Sequence, residues 1–273
     1  RRLNAGSDLD LIVIYDADGA EASEGRRPLA ARLYYARLTQ ALVTAMTAPM
    51  AEGRVYQVDM RLRPSGNQGP VATSWKSFRA YQRDEAWVWE HLALSRARVI
   101  IGNSALAADV ESFRVDLLGQ DQRRETVLQE VADMRARISM AKAPAGTLDV
   151  KIGPGRLLDV ELVSQAGAVL AGLPVTDVAS GLRGAVAIGW LDDADLTALN
   201  QVYDLCWRVQ VAARLVSEHP LEVSGMGQAG RDFLLRITGM SDVDRLQSRL
   251  VDLAQQAAVC IAKALPAHRE DSP

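Results

Sequence analysis

The spacing of the apolar residues changes once along this chain, near Gly102. Before Gly102, short β-branched runs alternate with helix-like stretches and turn-rich loops. After it, apolar residues recur almost everywhere at the spacing of an α-helix. This change of period favours an α+β fold class. It predicts a mixed-sheet domain over residues 1–103 and an α-helical bundle domain over residues 104–273.

Strands are predicted at three places in the first part of the chain. Residues 9–15 (LDLIVIY) form a short apolar run that is typical of a strand covered on both faces. Residues 55–62 (VYQVDMRL) alternate between apolar and polar, which predicts a second strand. The apolar residues 99–101 predict a third, short strand.

Helices are predicted wherever helical spacing runs between turns rich in Gly and Pro. Pro28 is expected to open the first helix and Ser74 to cap the second. The predicted helices cover residues 28–50, 74–91, 104–118, 121–141, 157–172, 176–188, 192–217, 228–238 and 242–265.

Composition excludes several functional classes. The net charge of −3 gives no basic field for a nucleic acid, and no apolar run is long enough to span a membrane. Cys206 and Cys260 are expected to be buried thiols, and the absence of CxxC and HExxH motifs argues against zinc. A cytoplasmic protein is expected. The chain does not start with Met and begins almost on a motif, which suggests a piece of a longer protein.

The segment with the clearest chemistry is GSDLD, residues 6–10. Asp8 and Asp10 are two positions apart at a strand start, so their carboxylates are expected to point to the same face. Such oxygen ligands suit Mg²⁺ or Mn²⁺. Gly6 and Ser7 form a turn whose backbone N–H groups could hold phosphate oxygens. A turn with a solvated acidic pair is the alternative.

The second strand adds a carboxylate and two guanidinium groups. Its alternation places Asp59, Arg61 and Arg63 on one face. If this strand pairs with the first, Asp59 completes a cluster of three carboxylates, and the arginines could bind phosphates. The alternative is a surface strand with internal salt bridges.

The motif GSDxD with a third Asp on a later strand resembles the nucleotidyltransferase superfamily that includes DNA polymerase β. Longer strings resemble the bacterial glutamine synthetase adenylyltransferases. These strings are VDMRLRPSGNQG (58–69), AYQRDEAWVWEHLALSRARVIIG (80–102) and DVKIGPGRLLDVELVSQ (149–165). The WEH, RPSG and DVE parts resemble the C-terminal, AMP-adding half of that bifunctional family rather than its AMP-removing half.

This resemblance implies an enzyme that transfers AMP from ATP to a tyrosine of glutamine synthetase and so regulates nitrogen assimilation. It implies that Asp8 and Asp10 hold two Mg²⁺ ions and that Asp59 binds one of them. A PII-type signal protein is an implied partner. The implied nucleotide contacts are Gly6, Ser7, Arg61, Arg63 and Lys151, and the implied supporting residues are Glu90, Arg96, Asp159 and Glu161.

Further expectations concern the supporting residues and two departures from the family. Glu90 and Arg96 are expected to pair, and Tyr81, Trp87 and Trp89 to pack between the two domains. For Lys151, a solvated side chain is an equal alternative. The family carries a Gly-Gly pair before the segment that begins here at Arg1, and it has Gly where Arg156 stands. An inactive docking or regulatory fragment, and the AMP-removing activity, remain alternative functions.

Overall fold

The structure is a computed structural model that describes residues 3–4, 7–53, 56–120, 124–217, 221–223 and 225–269. The described residues fall into two compact units. The sheet unit contains Gly6–His91 and Val99–Phe113, and the helical unit contains Leu92–Arg98 and Arg114–Pro273 together with the start of the chain. The predicted division at residues 103/104 stays a prediction.

The named elements in the described residues are four short strands, ten α-helices and one 3-10 helix, Gly66–Gln68. The strands are β1 Leu9–Asp10, β2 Ile14–Tyr15, β3 Val58–Asp59 and β4 Thr73–Ser74. The helices are α1 Ala31–Thr47, α2 Trp75–Asp84, α3 Val88–Ser95, α4 Ser104–Leu118, α5 Arg124–Ala141, α6 Leu157–Leu170, α7 Val178–Ala187, α8 Asp193–Val216, α9 Gln228–Thr238 and α10 Val243–Ala264.

The apolar run 9–15 forms two strands, because each half pairs with a different neighbour. β1 pairs with β3 and β2 pairs with β4, both in parallel. The N–H of Leu11 still donates to Asp59 O at 2.8 Å, whereas Val13 O accepts from the N–H of Thr73 at 3.0 Å. In place of the expected mixed sheet, the named strands in the described residues form two separate parallel pairs.

The other two predicted strands also differ from the structure. The strand predicted over 55–62 ends at Asp59, because the chain turns there and the N–H of Arg63 donates to Met60 O at 3.3 Å. Residues 99–101 form no strand; the N–H of Val99 donates instead to the Glu111 carboxylate at 2.7 Å. Ile101 is 92% exposed.

The helix predicted over 74–91 is interrupted at residues 85–87. Ser74 caps α2 as predicted, accepting from the N–H of Ser77 at 3.2 Å. The chain leaves the helix after Asp84, and the Glu90 carboxylate accepts from the N–H of Trp87 at 2.9 Å. That bond satisfies a donor that α3 leaves unpaired at its start, so a second helix begins there.

The helical unit agrees with the predicted helices to within a few residues. Helix α6 is buried on nearly all sides, which fits a central helix of a bundle. Helices α7, α8 and α10 begin at the N-caps Asp177, Asp192 and Asp242, each of which accepts from a backbone N–H three residues later. A capping box at Asp192 fixes the start of the long α8.

The two cysteines are free thiols in the helical unit. Cys206 is buried as predicted, whereas Cys260 is half-buried. Burial raises the pKa of Cys206 to about 12 and that of Cys260 to about 11. Both side chains are therefore protonated at neutral pH. Among the described helices, none carries an apolar stretch long enough to cross a bilayer.

Candidate functional site

Two strands of the sheet unit bring the predicted carboxylates together. In the β1–β3 pair, Asp10 lies beside Asp59 in register, and neighbouring strands are about 4.8 Å apart. The N–H of Leu9 donates to Gln57 O at 2.8 Å, which fixes this register. Asp8 is exposed and immediately precedes β1. The pairing on which the three-carboxylate cluster depends is therefore present.

An open cavity with a volume of about 450 Å³ lies beside the carboxylates of Asp8 and Asp59, an edge of the β1–β3 pair called the acidic edge below. Its lining combines carboxylates, guanidinium groups and side-chain amides. The lining residues are Asp8, Gln57, Val58, Asp59, Met60, Arg61, Arg63 and Asn67. Ser7 is half-buried just before Asp8, and Gly6 lies outside the described residues. Gln57 and Asn67 also line the cavity and were not among the predicted site residues, although Gln57 lies in the strand predicted over 55–62 and Asn67 in the string 58–69.

Arg61 is bound to the carboxylate of Asp59. Its backbone N–H donates to Asp59 Oδ1 at 2.8 Å, and its Nε donates to Oδ2 at 2.7 Å. A second guanidinium nitrogen also donates to Oδ2. The side-chain hydrogen bond from Arg61 holds the pKa of Asp59 below its usual value. The same bond raises the pKa of Arg61, and the charges of Asp10 and Asp8 act in the same direction.

Arg61 therefore places one positive charge among three carboxylates. The described residues contain no group of three His, Cys, Asp or Glu arranged to hold a metal ion directly. The donors are nevertheless hard oxygens, the type that Mg²⁺ and Mn²⁺ prefer. The Arg61 guanidinium supplies the positive charge among these carboxylates, whose charge and donor type fit a divalent cation.

The guanidinium of Arg63 is hydrogen-bonded to the loop that follows β3. Its Nη1 donates to Met60 O at 2.7 Å, and its Nε donates to Gly69 O at 3.2 Å. The predicted common strand face for Arg61 and Arg63 is wrong, because both follow the end of β3. The turn after β3 nevertheless brings both side chains to the cavity.

The predicted pair of Glu90 and Arg96 is wrong, because each has partners of its own. Glu90 is 4% exposed and accepts from the Tyr81 hydroxyl at 3.0 and 3.1 Å. In the helical unit, Arg96 lies 3.7 Å from the Glu161 carboxylate. Trp87, predicted to be packed, is 64% exposed. Tyr81 was expected to pack between the domains, but its hydroxyl donates to Glu90, a contact that no local sequence pattern predicts.

Other predicted residues lie in the helical unit. Asp159 receives two hydrogen bonds from Arg135, at 2.9 and 2.7 Å, and one from the N–H of Gly155 at 2.9 Å. Lys151 is exposed. The guanidinium of Arg156 donates to Gly146 O at 3.1 Å and to the carbonyl of Asp149. Arg156 thus ties together the loop before α6, and the roles of Lys151, Asp159 and Glu161 toward a nucleotide stay predictions.

The chain is similar to a known family of enzymes. Residues 1–113 match the family model described as glutamate-ammonia ligase adenylyltransferase. Three relatives share the name bifunctional glutamine synthetase adenylyltransferase/adenylyl-removing enzyme. The Mesorhizobium japonicum relative is 42% identical over 94% of this chain and 26% of its own length. The Brucella suis relative is 38% identical over 92% of this chain and 26% of its own length. The Agrobacterium fabrum relative is 49% identical over 60% of this chain and 17% of its own length. The chain therefore spans about a quarter or less of the length of these relatives.

Proposed function

We propose that this chain, whose residues 1–113 match the glutamate-ammonia ligase adenylyltransferase family model, transfers AMP from ATP to a tyrosine of glutamine synthetase. The observation that carries the proposal is the register of Asp10 beside Asp59 at the edge of an open cavity that Asp8 also lines. A cavity of this size is large enough for a small-molecule ligand, and its guanidinium groups suit the phosphates of a nucleotide. The relatives' names supply the protein substrate.

The fold proposed for the sheet unit is that of the nucleotidyltransferases related to DNA polymerase β. Two acidic residues at one strand and a third on a neighbouring strand support this assignment, since β1 and β3 supply them in that order. The two short parallel pairs and the flanking helices are compatible with it.

The proposed reaction breaks a phosphoanhydride bond of ATP and forms a phosphodiester bond to the substrate tyrosine. The hydroxyl oxygen of the substrate tyrosine attacks the α-phosphorus of ATP, and the bond from the α-phosphorus to the bridging oxygen breaks. Pyrophosphate leaves, and the tyrosine carries AMP. A tyrosine hydroxyl has a pKa near 10, so it needs a base; Asp59 is the carboxylate proposed to accept its proton.

The same residues position the triphosphate. Arg63 is held by its loop and presents a guanidinium at the cavity, where a planar fork suits phosphate oxygens. Arg61 and the turn at Ser7 are proposed as further phosphate contacts. Asp8, Asp10 and Asp59 would hold Mg²⁺ or Mn²⁺, which when bound neutralises phosphate charge and stabilises the charge that develops during transfer.

The partner proposed for regulation is a PII-type signal protein. This proposal comes from the resemblance, and the net charge of −3 gives no comparable reason to propose a nucleic acid.

The test offers the chain two reaction mixtures. The first contains labelled ATP, Mg²⁺ and unmodified glutamine synthetase; the second contains AMP-modified glutamine synthetase and inorganic phosphate. We expect AMP incorporation in the first and little ADP in the second. ADP release without incorporation would assign the AMP-removing reaction instead. Binding of glutamine synthetase without turnover in either mixture would favour a docking fragment.

A further inference from the structure

The side-chain amide of Gln57 is free to meet a ligand. Gln57 lines the cavity and is exposed. Within the part of the chain that the structure describes, this amide forms no hydrogen bond. The backbone is fixed, however, since Gln57 O accepts from the N–H of Leu9 at 2.8 Å. A carboxamide offers an acceptor oxygen and two N–H donors. Gln57 therefore presents neutral hydrogen-bonding groups to the cavity from a fixed backbone position.

The lining residues follow one another along β3 and the turn after it. Gln57 precedes the strand, Asp59 ends it, and Arg61 and Arg63 come after it. Since a strand rises about 3.3 Å per residue, the Cα atoms of Gln57 and Asp59 are about 6–7 Å apart. Arg61 is bound to Asp59, and Arg63 is bound to carbonyls of the turn. The guanidinium groups therefore belong to the Asp59 end of the strand, and Gln57 belongs to the other end.

Strand pairing brings Asp8 close to Gln57. In the register of β1 and β3, Asp10 lies beside Asp59, and Asp8 and Gln57 come two positions earlier on their own strands. The hydrogen bond from Leu9 to Gln57 extends the pairing to this point. Along β3 the cavity thus presents a neutral amide, then a carboxylate, and then two guanidinium groups.

ATP carries its functional groups in a matching order. Its triphosphate is highly charged, and planar guanidinium groups suit phosphate oxygens, so the charged end of ATP belongs at Arg61 and Arg63. The carboxylates then lie at the α-phosphate, and the uncharged adenine is left at the Gln57 end. Adenine has an amine donor at N6 beside an acceptor at N7. A glutamine carboxamide can pair with both of these groups at once.

We propose that Gln57 recognises the adenine of bound ATP, with its Oε1 accepting from the N6 amine and its Nε2 donating to N7. The identity of the ligand rests on the proposed function. An analogue that changes either of these two adenine atoms loses one hydrogen bond. Gln57 therefore determines a preference for adenine over bases that lack this pair of groups.

The test compares three nucleotides by calorimetric titration in the presence of Mg²⁺. ATP has both groups, inosine triphosphate has a carbonyl in place of the N6 amine, and 7-deaza-ATP has a C–H in place of N7. The unmodified chain should bind each analogue about three- to tenfold more weakly than ATP, the size expected for one lost hydrogen bond. Gln57→Ala should bind all three nucleotides with about equal affinity, because neither group then has its partner.

Asn67→Ala is the matched control, because it removes the other lining carboxamide. Asn67 is exposed in the 3-10 helix Gly66–Gln68, which follows the arginines, and its amide also forms no hydrogen bond with a described residue. Asn67→Ala should keep the preference for ATP over both analogues. Equal affinity of the unmodified chain for the three nucleotides would overturn the proposal. So would a preference for ATP that persists in Gln57→Ala.

Nucleotide binding needs no protein substrate, so the two proposals can fail separately. A chain that prefers ATP through Gln57 but transfers no AMP to glutamine synthetase would contradict the proposed function alone. A chain that transfers AMP but binds ATP and both analogues equally would contradict the role of Gln57 alone. The comparison within the unmodified chain also decides the matter if Gln57→Ala does not fold.

Discussion

Asp10 and Asp59 lie side by side on neighbouring parallel strands, 49 positions apart in the sequence. Backbone hydrogen bonds on both sides of this pair, from Leu9 to Gln57 and from Leu11 to Asp59, fix the register. A shift of one residue would turn one carboxylate to the opposite face of the sheet. The acidic edge therefore depends on strand pairing, and each of its carboxylates can be removed without removing a core side chain.

The first prediction concerns these carboxylates. Asp10→Asn should reduce AMP transfer by about a hundredfold or more, since stabilising the charge on a transferring phosphoryl group contributes several kcal/mol. Folding should be unaffected or slightly favoured, because the change relieves repulsion among like charges. Transfer rates and thermal unfolding measure the two effects. Asp109→Asn on the exposed surface of α4 is the control. Near-normal transfer by Asp10→Asn would remove Asp10 from the proposed site.

The second prediction concerns Arg61, whose guanidinium is bound to Asp59. Arg61→Gln should free this carboxylate, so Mn²⁺ should bind more tightly in the absence of nucleotide. Because an exposed ion pair contributes little, the gain in Mn²⁺ affinity should be at most about fivefold. ATP should bind more weakly, because a phosphate contact is lost. Calorimetric titration with each ligand separates these opposite effects.

The control for Arg61 is Arg79→Gln, which removes the same charge from a side chain that lies over the Trp75 ring in the same unit. Arg79→Gln should change neither the affinity for Mn²⁺ nor the affinity for ATP. Equal Mn²⁺ affinity in Arg61→Gln and the unmodified chain would show that Arg61 does not compete with the cation.

The third prediction concerns the N-cap of α7 and its dependence on pH. Asp177 accepts from the N–H and the hydroxyl of Ser180, both at 2.8 Å. Burial tends to raise its pKa, but these hydrogen bonds and Arg183 outweigh burial and lower it. Asp177→Ala should cost about 1 kcal/mol of stability at neutral pH, measured by urea unfolding.

The sign of the pH effect follows from the lowered pKa. The carboxylate contributes its stability above the unfolded pKa, near 4, and loses it as pH falls through the lower folded pKa. The difference in free energy of unfolding between Asp177→Ala and the unmodified chain should therefore disappear in acid. Asp252→Ala, in the exposed middle of α10, should show no such loss. A deficit for Asp177→Ala that persists at pH 2 would contradict an ionised cap.

The fourth prediction concerns the crossing of α6 and α7. A Cβ on Gly167 would lie 2.5 Å from Gly181 O, and a Cβ on Gly181 would lie 2.3 Å from Ser164 O. Both obstacles are backbone atoms, so either substitution by Ala should force the helices apart and cost about 1–3 kcal/mol. Gly146→Ala is the control, because nothing lies within 4 Å of its added Cβ. Unchanged denaturant midpoints for Gly167→Ala and Gly181→Ala would show that α6 and α7 are not closely packed where they cross.

Much of the secondary structure could be read from the sequence because it depends on local patterns. The helices of the second part follow from the spacing of apolar residues, and Asp177, Asp192 and Asp242 stand where caps are needed. The motif around Asp8 and Asp10, and the third carboxylate at Asp59, were also recognisable, because each lies within a few residues of a β-branched segment.

The path of the backbone between these elements needed the tertiary structure. The run 9–15 looks like one strand, yet its halves bind different neighbours, and Arg61 lies in a turn that alternation alone cannot foresee. Burial was equally hidden: Leu33, Leu38 and Leu42 of α1 are apolar, yet they are 45%, 53% and 45% exposed. Apolar spacing identifies a face, whereas the elements packed against that face decide whether it is covered.

The sequence by itself determined which chemical groups this chain carries and which helices bear them, since side-chain type and period are local properties. Only the tertiary structure decided which groups meet. Asp10 lies beside Asp59 because of the strand register, Arg61 reaches Asp59 through a turn, and the Tyr81 hydroxyl donates to the buried Glu90 carboxylate. These contacts join distant or turning segments, and their geometry depends on every element packed between them.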